Sequence, residues 1–459
     1  MLVGMDSMPH HPFNNRQRRA PVFNIPYTVT SALSRLSAAG FEGYVVGGCV
    51  RDMLMGREIH DWDITTNALP GEVHEVFSDN KVFDTGIAHG TVSVLVGGGV
   101  LEITTYRVDG EYTDNRHPDS VTFTRSLRED LSRRDFTMNA IAYSPADGLV
   151  DPFGGQEDIK RGVIRCVGDA SKRFDEDALR ILRALRFAST LGFAIEENTA
   201  FASRQKSQLL KNVSAERINV ELAKLLCGGG AGEVLRNYRD ILAVAIPQLA
   251  PMFDFDQQNR HHIYDVWTHT IITVEALPSI TELRWAALFH DIGKPASFTM
   301  DAHGEGHYYG HAEAGAQIAN EVMHALKFDN ATRERVFLLV KFHDTTVGTD
   351  EKRVKRLLGR FGEEFVRQLL LLKRADNLAQ SEKYRERQQL ITKAEALIDE
   401  IIARKDCFSL KDLAVNGRDM MELGFEGKAI GEALQTLLDA VIDGLVSNEK
   451  TALIEYVKP

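Results

Sequence analysis

Hydrophobic positions along the chain change their spacing as the chain is followed. From Tyr27 to about Ala146 the two periods of secondary structure alternate. TVTSALSRLSAAG spaces its apolar residues for one helical face and stops at Gly40, which predicts an amphipathic helix with a glycine end. YVVGG predicts a strand entering a turn, RDMLMG a short helix, DWDITT a strand, and LPGEVHEVFSD a helix opened near Pro70. GTVSVLV and VLEITTYRV are strand-like runs separated by glycines, which predicts a hairpin. From about Ser171 the strand pattern fades and FDEDALRILRALRFASTLG begins a long helical remainder, which divides again near MFDFDQQNRHHIYDVWTHT. The expected architecture is multidomain α+β. A leader without periodicity covers 1–24, a head with a mixed sheet and helices covers 25–150, and a helical neck and body covers 151–250. An all-α, histidine-rich domain follows over 251–390, then a helical tail over 391–459.

Composition narrows the class only a little. The 459 residues are 44% hydrophobic and 26% charged, with a net charge of -11. That excludes a uniformly basic nucleic-acid coat, but not RNA binding through a local basic face. Cys49, Cys166, Cys227 and Cys407 are scattered, which argues against a disulfide framework or a cysteine zinc site and fits a reducing cytoplasm. No apolar run approaches a membrane span. The leader is expected to be disordered, with Arg16, Arg18 and Arg19 as candidates for RNA contact.

One stretch carries chemistry. In GGCVRDMLMGREIHDWDITT, Asp61 and Asp63 stand two apart in a predicted strand. Residues two apart on a strand share a face, so the carboxylates would lie within about 7 Å and repel unless a cation intervenes. Hard oxygen ligands of this kind suit Mg²⁺, which binds one or two carboxylates together with substrate phosphates. Gly47 and Gly48 end a strand and begin a helix, where a phosphate can approach the backbone, and Arg51 can neutralise its charge. A solvated edge strand is the plain alternative.

With these residues in view, the sequence resembles the class II tRNA nucleotidyltransferase and bacterial poly(A) polymerase family, within the polymerase-β-like nucleotidyltransferases. The resemblance covers roughly 27–380. It implies that Asp61 and Asp63 hold the catalytic Mg²⁺ and that Gly47, Gly48 and Arg51 hold the triphosphate. Glu102, in VLEITTYR, is the candidate third catalytic carboxylate, with an ordinary strand salt bridge as the alternative. In LSRRDFTMNAIAYSP the resemblance assigns Arg133, Arg134, Asp135 and Asn139 to the nucleotide. DPFGGQEDIKRG (151–162) reads as a hinge or as a structural loop. In FDEDALRILRALRFA, Asp177 and Arg180 are three apart on a predicted helix and share a face. The resemblance makes them an amino-acid template that selects C and A, whereas an ordinary salt bridge is the alternative. Arg183 and Arg186 extend an arginine face toward RNA phosphates. In AERINVELAKLL, Arg217 and Glu221 are read as a structural pair.

The histidines cluster. Nine of the 15 fall between His261 and His343. VWTHTI, LFHDIGKP, GHAEAG, VKFHD and KRADNLAQ supply His269, His290, Asp291, Lys294, His311, His343 and Asp376. Imidazoles with carboxylates favour a divalent transition metal over Mg²⁺ alone. These segments resemble the HD superfamily of metal-dependent phosphohydrolases. That implies His269, His290, Asp291 and Asp376 as ligands of one metal (Ni, Mn, Fe or Co), His311 and His343 as ligands of a second, and Lys294 beside the phosphate.

The expected activity is therefore addition of C and A from CTP and ATP to the 3′ end of tRNA, with a phosphohydrolase domain attached. The partners are tRNA, CTP and ATP, with no membrane, in a monomer or a homodimer. Alternatives within the family are CC-only addition, A-only addition and poly(A) synthesis. Under the resemblance, the full polar loop 107–123 and an ending without a long basic extension imply CCA or A addition. A phosphohydrolase with a non-catalytic RNA-binding head is the alternative from another class, and a non-catalytic tRNA chaperone is a third.

Overall fold

The structure is a computed structural model and describes residues 23–110, 120–259 and 262–458. All but the last two residues of the leader, with Arg16, Arg18 and Arg19, lie outside the described residues, as does the middle of the 107–123 loop. The chain divides into two compact units, the first running through Gly110 and on to Arg161, the second beginning at Gly162.

In the first unit, α1 (Tyr27–Ala38) buries Val29, Ala32, Leu33 and Leu36, the helical face that its spacing predicts. Next come β1 (Gly43–Val46), α2 (Gly48–Leu54), β2 (Asp63–Thr66), α3 (Pro70–Val76), β3 (Val82–Gly86), β4 (Thr91–Val96) and β5 (Gly99–Thr105). A small ribbon of β6 (Arg107–Asp109) and β7 (Val121–Phe123) precedes α4 (Leu127–Ser132). Then come β8 (Ala142–Ser144), β9 (Gly148–Val150) and α5 (Gly155–Arg161). The main sheet has seven strands in the order β3-β4-β5-β2-β1-β8-β9. It is mixed: β2 runs parallel to β5, and its other pairings are antiparallel. The β4–β5 hairpin turns at Gly97 and Gly98, with φ of 57° and 88°. Two successive positive φ values match the twist of a tight hairpin and suit glycine alone among common residues.

The first unit extends past residue 150, where the sequence reading begins the neck. Asp158 of α5 is buried and accepts a 2.6 Å hydrogen bond from Thr137 Oγ1. A Cβ on Gly155 would lie 2.1 Å from the Thr137 carbonyl oxygen. Burial and this close approach bind 151–161 to the head as packed structure, and Asp151 accepts the N–H of Gly155 and Gln156 at 2.8 Å each.

The second unit is largely helical. After β10 (Val163–Ile164) come α6 (Ala170–Glu176), α7 (Leu179–Leu191), β11 (Ala194–Ile195), α8 (Glu197–Gln205), α9 (Ala215–Leu226), α10 (Ala231–Asn237) and α11 (Arg239–Ala245). Next are α12 (Val266–Glu275), α13 (Thr281–Phe289), α14 (Lys294–Ser297), β12 (Thr299–Met300), β13 (Gly306–His307), α15 (His311–Ala325) and α16 (Asn330–Phe342). The last elements are α17 (Glu351–Phe361), α18 (Glu363–Leu378), α19 (Glu386–Ala403), α20 (Gly417–Glu422), α21 (Lys428–Ile442) and α22 (Lys450–Val457). The β12–β13 ribbon is an addition to the all-α histidine-rich domain expected from periodicity; a strand of two residues leaves no periodic trace. The C-terminal helices close over their own core, in which Met420, Leu437 and Leu453 are fully buried.

Candidate active site and candidate metal centre

In the head, β1 runs into Gly47, whose φ of 82° starts the turn into α2. A Cβ at Gly47 would stand 2.8 Å from Arg134 Nη1, so the turn needs glycine both for its backbone angle and for the guanidinium packed on it. Gly48 is different: its nearest neighbour, Arg51 Nη2, would lie an ordinary 3.7 Å from an added Cβ. Arg51 is buried, donates from Nη1 to Asn139 Oδ1 at 2.8 Å, and pairs with Asp52 at 2.8 Å. Asn139 in turn donates to Asp135 Oδ1 at 3.0 Å, and Asp135 also accepts the Phe136 N–H at 2.8 Å. Asn139 therefore contacts Arg51 directly, and Asp135 reaches it through Asn139.

The paired aspartates need one correction. Strand β2 begins at Asp63, so Asp61 lies just before it, outside the strand whose alternation would set both carboxylates on one face. The two carboxylates still sense each other. Desolvation raises the Asp63 carboxyl above the ordinary carboxylate range, Arg134 pulls it down, and the Asp61 charge adds to the rise. The residue has an exposed surface, but enough protein surrounds its carboxyl for burial to dominate. Glu102 is the register partner of Asp63 in the parallel β2–β5 pair, so the two project from the same face of the sheet. Asp61, Asp63 and Glu102 do not converge as a ready-made three-ligand cage among the described residues. Few carboxylates with room for phosphate oxygens is the donor set that Mg²⁺ prefers.

Asp130 had no place in the sequence reading. It is fully buried and accepts from Thr65 Oγ1 at 3.3 Å, from the Arg107 N–H at 3.3 Å and from Arg133 at 3.0 and 2.8 Å, with Arg134 at 3.7 Å. Its i,i+3 and i,i+4 spacing to the two arginines was the available signal. Arg133 is thereby turned into the fold, and also lies 3.8 Å from Asp109. Arg134 is the arginine left at the Gly47 turn, with burial pressing its pKa down.

In the second unit the predicted continuous helix through Asp177 and Arg180 is broken. Asp177 has extended angles, φ -138° and ψ 103°, and separates α6 from α7. The reason is local: its Oδ1 accepts the Leu179 N–H at 3.1 Å, so the side chain starts the next helix in place of continuing the last. Asp177 and Arg180 are therefore not a same-face pair. Arg217 donates to Asp177 Oδ2 at 2.8 Å, and Arg180 donates to Glu176 Oε2 at 2.7 Å and to the Arg173 carbonyl at 3.1 Å. Arg217 thus pairs with Asp177 instead of Glu221. Glu221 receives Arg186 at 2.6 Å and Arg183 at 3.8 Å, and Arg186 also stacks on Phe187 at 3.9 Å. The arginine face expected to meet RNA therefore shares a carboxylate on the neighbouring helix α9, and Arg183 is the more open of the two.

The histidine segments converge. His269 on α12, His290 and Asp291 after α13, and Asp376 on α18 meet with His269 Nε2 3.2 Å from His290 Nε2 and 3.0 Å from Asp376 Oδ1. Asp291 Oδ2 lies 3.4 Å from His269 Nε2 and 3.3 Å from His290 Nε2. Its other oxygen lies 3.7 Å from His311 Nε2 and 3.8 Å from His343 Nε2, which are 3.3 Å from each other. Asp291 thus bridges two clusters, His269–His290–Asp291 and Asp291–His311–His343, in each of which the ligand atoms lie within 4.8 Å of one another.

The hydrogen bonds on the far sides of the rings test whether a metal fits. Nδ1 of His269, His290, His311 and His343 faces the carbonyls of Ala379, Ala287, Tyr308 and Val340 at 3.2, 2.7, 2.8 and 2.7 Å. Carbonyls only accept, so each Nδ1 carries a proton, and in the neutral ring each Nε2 turns its lone pair inward. Lone pairs facing each other at 3.2 and 3.3 Å suit two cations between them. Burial, then the His290 charge, push the His343 imidazole down to about 3, which keeps it a neutral ligand. Burial opposes the charged form of His290, but Asp291 and Asp376 outweigh it and raise that ring. Lys294 donates to Gln257 Oε1 at 2.7 Å and forms an ion pair with Asp291 Oδ2, also at 2.7 Å. His262, counted in the sequence cluster, lies 3.4 Å from Lys294 Nζ and is driven down to about 2 by burial, then by that ammonium. A cavity of about 710 Å³ opens on Asp291, His311, His343, Asp376 and Lys294.

Known proteins resemble the chain along nearly all its length. Residues 43–165 match the family "Poly A polymerase head domain", 192–253 match "Probable RNA and SrmB- binding site of polymerase A", and 311–457 match "tRNA nucleotidyltransferase domain 2". The CCA-adding enzyme of Lactobacillus delbrueckii subsp. bulgaricus is 35% identical over 426 residues, 93% of this chain and 96% of that enzyme. The CCA-adding enzyme of Lactobacillus helveticus is 34% identical over 431 residues, 93% of this chain and 95% of its own. The crystal structure of the Bacillus stearothermophilus CCA-adding enzyme in complex with CTP superposes with a TM-score of 0.69 at 31% identity, covering 94% of this chain and 96% of that one. The Thermotoga maritima CCA-adding enzyme complexed with tRNA shares the fold, with a TM-score of 0.58 at 22% identity over 94% of this chain and 93% of that one. The chain belongs to the CCA-adding enzyme family and is a nucleotidyltransferase.

Proposed function

We propose that the protein adds C and A from CTP and ATP to the 3′ end of tRNA, and that Asp61 and Asp63, with Glu102 beside them, hold the divalent metal of that reaction. The observation that carries the reading is the β2–β5 register, which sets Glu102 against Asp63, together with the charge interaction linking Asp63 to Asp61 and Arg134 at the Gly47 turn. Bound Mg²⁺ would neutralise the triphosphate and lower the pKa of the attacking 3′-hydroxyl. The chain's own residues then divide the work. Asp61 and Asp63 bind and orient, Gly47 keeps the backbone bare where a phosphate approaches, and Arg134 offsets phosphate charge. Asp135 and Asn139 hold Arg51 in place. Asp177 and Arg180 read the base edge, for which the incoming base must compete with Arg217 and Glu176 for their polar atoms. The test supplies a tRNA lacking its terminal nucleotides with each triphosphate in turn. Extension by C, C and A supports the reading, whereas extension by C alone, by A alone or by a long A run selects one of its family alternatives.

A second reading has its own observation, the two histidine clusters bridged by Asp291. We infer that they hold a divalent transition-metal pair and remove phosphate from nucleotide or RNA ends. Neutral imidazoles with few carboxylates favour such metals over Mg²⁺. Loading with Ni²⁺, Mn²⁺, Fe²⁺ or Co²⁺ and following p-nitrophenyl phosphate hydrolysis tests this, with loss expected in Asp291→Ala. Thiols outside any disulfide at Cys49, Cys227 and Cys407 support work in a reducing cytoplasm.

A further inference from the structure

The wall of the metal-centre cavity carries a feature that hydrolysis of a bare phosphate does not require. Tyr309 is 79% exposed. Its ring lies nearly parallel to His307, with centroids 5.4 Å apart and planes 9° apart. Both residues line the same cavity as Asp291, His311 and His343. His307 is held from behind: its Nε2 lies 3.0 Å from Asp301 Oδ2, and its backbone pairs with Thr299 in the β12–β13 ribbon. Asp301 is itself fixed by accepting the N–H groups of His303 and Glu305 at 2.8 and 2.9 Å. One face of Tyr309 is therefore backed by an oriented ring, and the other is open. A flat, pre-set aromatic face is the surface on which a nucleobase stacks, with little preference among bases.

The cations of the cavity differ in their commitments. Lys341 is paired with Glu313 at 2.9 Å. Arg387 donates to the neutral Gln380 Oε1 at 3.2 Å and lies over Tyr384, with no carboxylate in ion-pair range among the described residues. Its charge is left for an anion.

We propose that Tyr309 determines specificity in this cavity. The ligand is a nucleoside phosphate whose base stacks on Tyr309 while its phosphate meets the histidine–aspartate clusters. Free nucleotides and the terminal nucleotide of an RNA share this chemistry, and in the second case Arg387 meets the adjoining phosphodiester. The proposal rests on the phosphohydrolase reading above.

The test measures binding by calorimetry to the full-length, Mn²⁺-loaded protein. The probes are adenosine 3′-monophosphate, ribose 5-phosphate, inorganic phosphate and a short RNA ending in a 3′-phosphate. The adenosine probe is expected to bind the wild-type protein about tenfold more tightly than ribose 5-phosphate, the size of one base–aromatic stack. Tyr309→Ala removes that ratio and Tyr309→Phe keeps it. CCA addition by each variant reports that the chain has folded. Equal affinities for the two sugar phosphates in the wild-type protein, or a ratio unchanged in Tyr309→Ala, overturns the proposal. If inorganic phosphate does not bind and p-nitrophenyl phosphate is not hydrolysed with any of the metals, the phosphohydrolase reading itself falls, and this proposal with it. A further gain for the RNA that Arg387→Gln removes identifies an RNA end as the source. No such gain identifies free nucleotides, and either source satisfies the proposal.

Discussion

At the scale of single residues, the two neighbouring glycines make different demands. Gly47 has a positive φ and Arg134 against it, whereas Gly48 is the first residue of α2 with nothing closer than 3.7 Å. Gly47→Ala is expected to lower stability by about 1–3 kcal/mol, the range for a strained backbone, and to raise the KM for CTP by moving Arg134. Gly48→Ala is expected to melt like the wild-type protein. Thermal denaturation of the pair checks this, and equal stability would remove the argument from the turn. A second residue-scale prediction concerns His343. Its folded pKa, about 3, lies below the unfolded value of about 6.5, so the native state binds fewer protons than the unfolded one. Stability from this ring is present above pH 6.5 and is lost as pH falls toward 3. In chelator, the stability difference between wild-type protein and His343→Gln should therefore shrink between pH 7 and pH 4. Denaturant titrations across that range measure it, and a difference that does not vary with pH contradicts the assignment.

At the scale of elements, what was legible in the sequence was what local chemistry decides. The hairpin at Gly97 and Gly98, the strand-to-turn step at Gly47 and the helical face of α1 follow from neighbours a few residues apart. Two features were hidden for the opposite reason. Spacing treats FDEDALRILRALRFA as one helix, but the Asp177 side chain takes the Leu179 N–H and divides it. Likewise, Arg183 and Arg186 look like an open basic face until Glu221, on another helix, closes on them. Of the candidate sites, the histidines and aspartates that converge were readable because each lies in its own short motif. The buried network of Asp130 was missed, since its partner Thr65 and the Arg107 backbone come from distant positions in the chain. The break at Asp177 makes a prediction of its own. Asp177→Ala loses the start of α7 and leaves Arg217 without its carboxylate, so stability should fall by about 1 kcal/mol, typical of a lost helix cap. Asp177→Asn keeps most of the cap. If Asp177 also reads the base, both variants lose discrimination between CTP and UTP, while Arg217→Ala keeps it. Competition assays with the two triphosphates separate capping from base reading.

At the scale of the whole molecule, the acidic head and the histidine-rich region carry different donor sets. Few carboxylates with open positions suit Mg²⁺ and a triphosphate, whereas inward-facing imidazoles suit a transition-metal pair. Asp291→Ala should therefore abolish phosphate release and leave CCA addition within about twofold, because its partners all lie in the histidine clusters and on Lys294. Paired assays of both activities on one preparation check it, and parallel loss of the two would mean that one centre serves both. The central claim is that Asp61 and Asp63 perform the nucleotidyl transfer. Its most direct measurement sizes the products formed from a tRNA lacking its 3′-terminal nucleotides, with CTP, ATP and Mg²⁺, by wild-type protein and by Asp61→Ala and Asp63→Ala. The account predicts full CCA completion by the wild-type protein. Each variant should lose at least about a thousandfold in rate, roughly 4 kcal/mol, while still binding tRNA. Extension by either variant at the wild-type rate would contradict it.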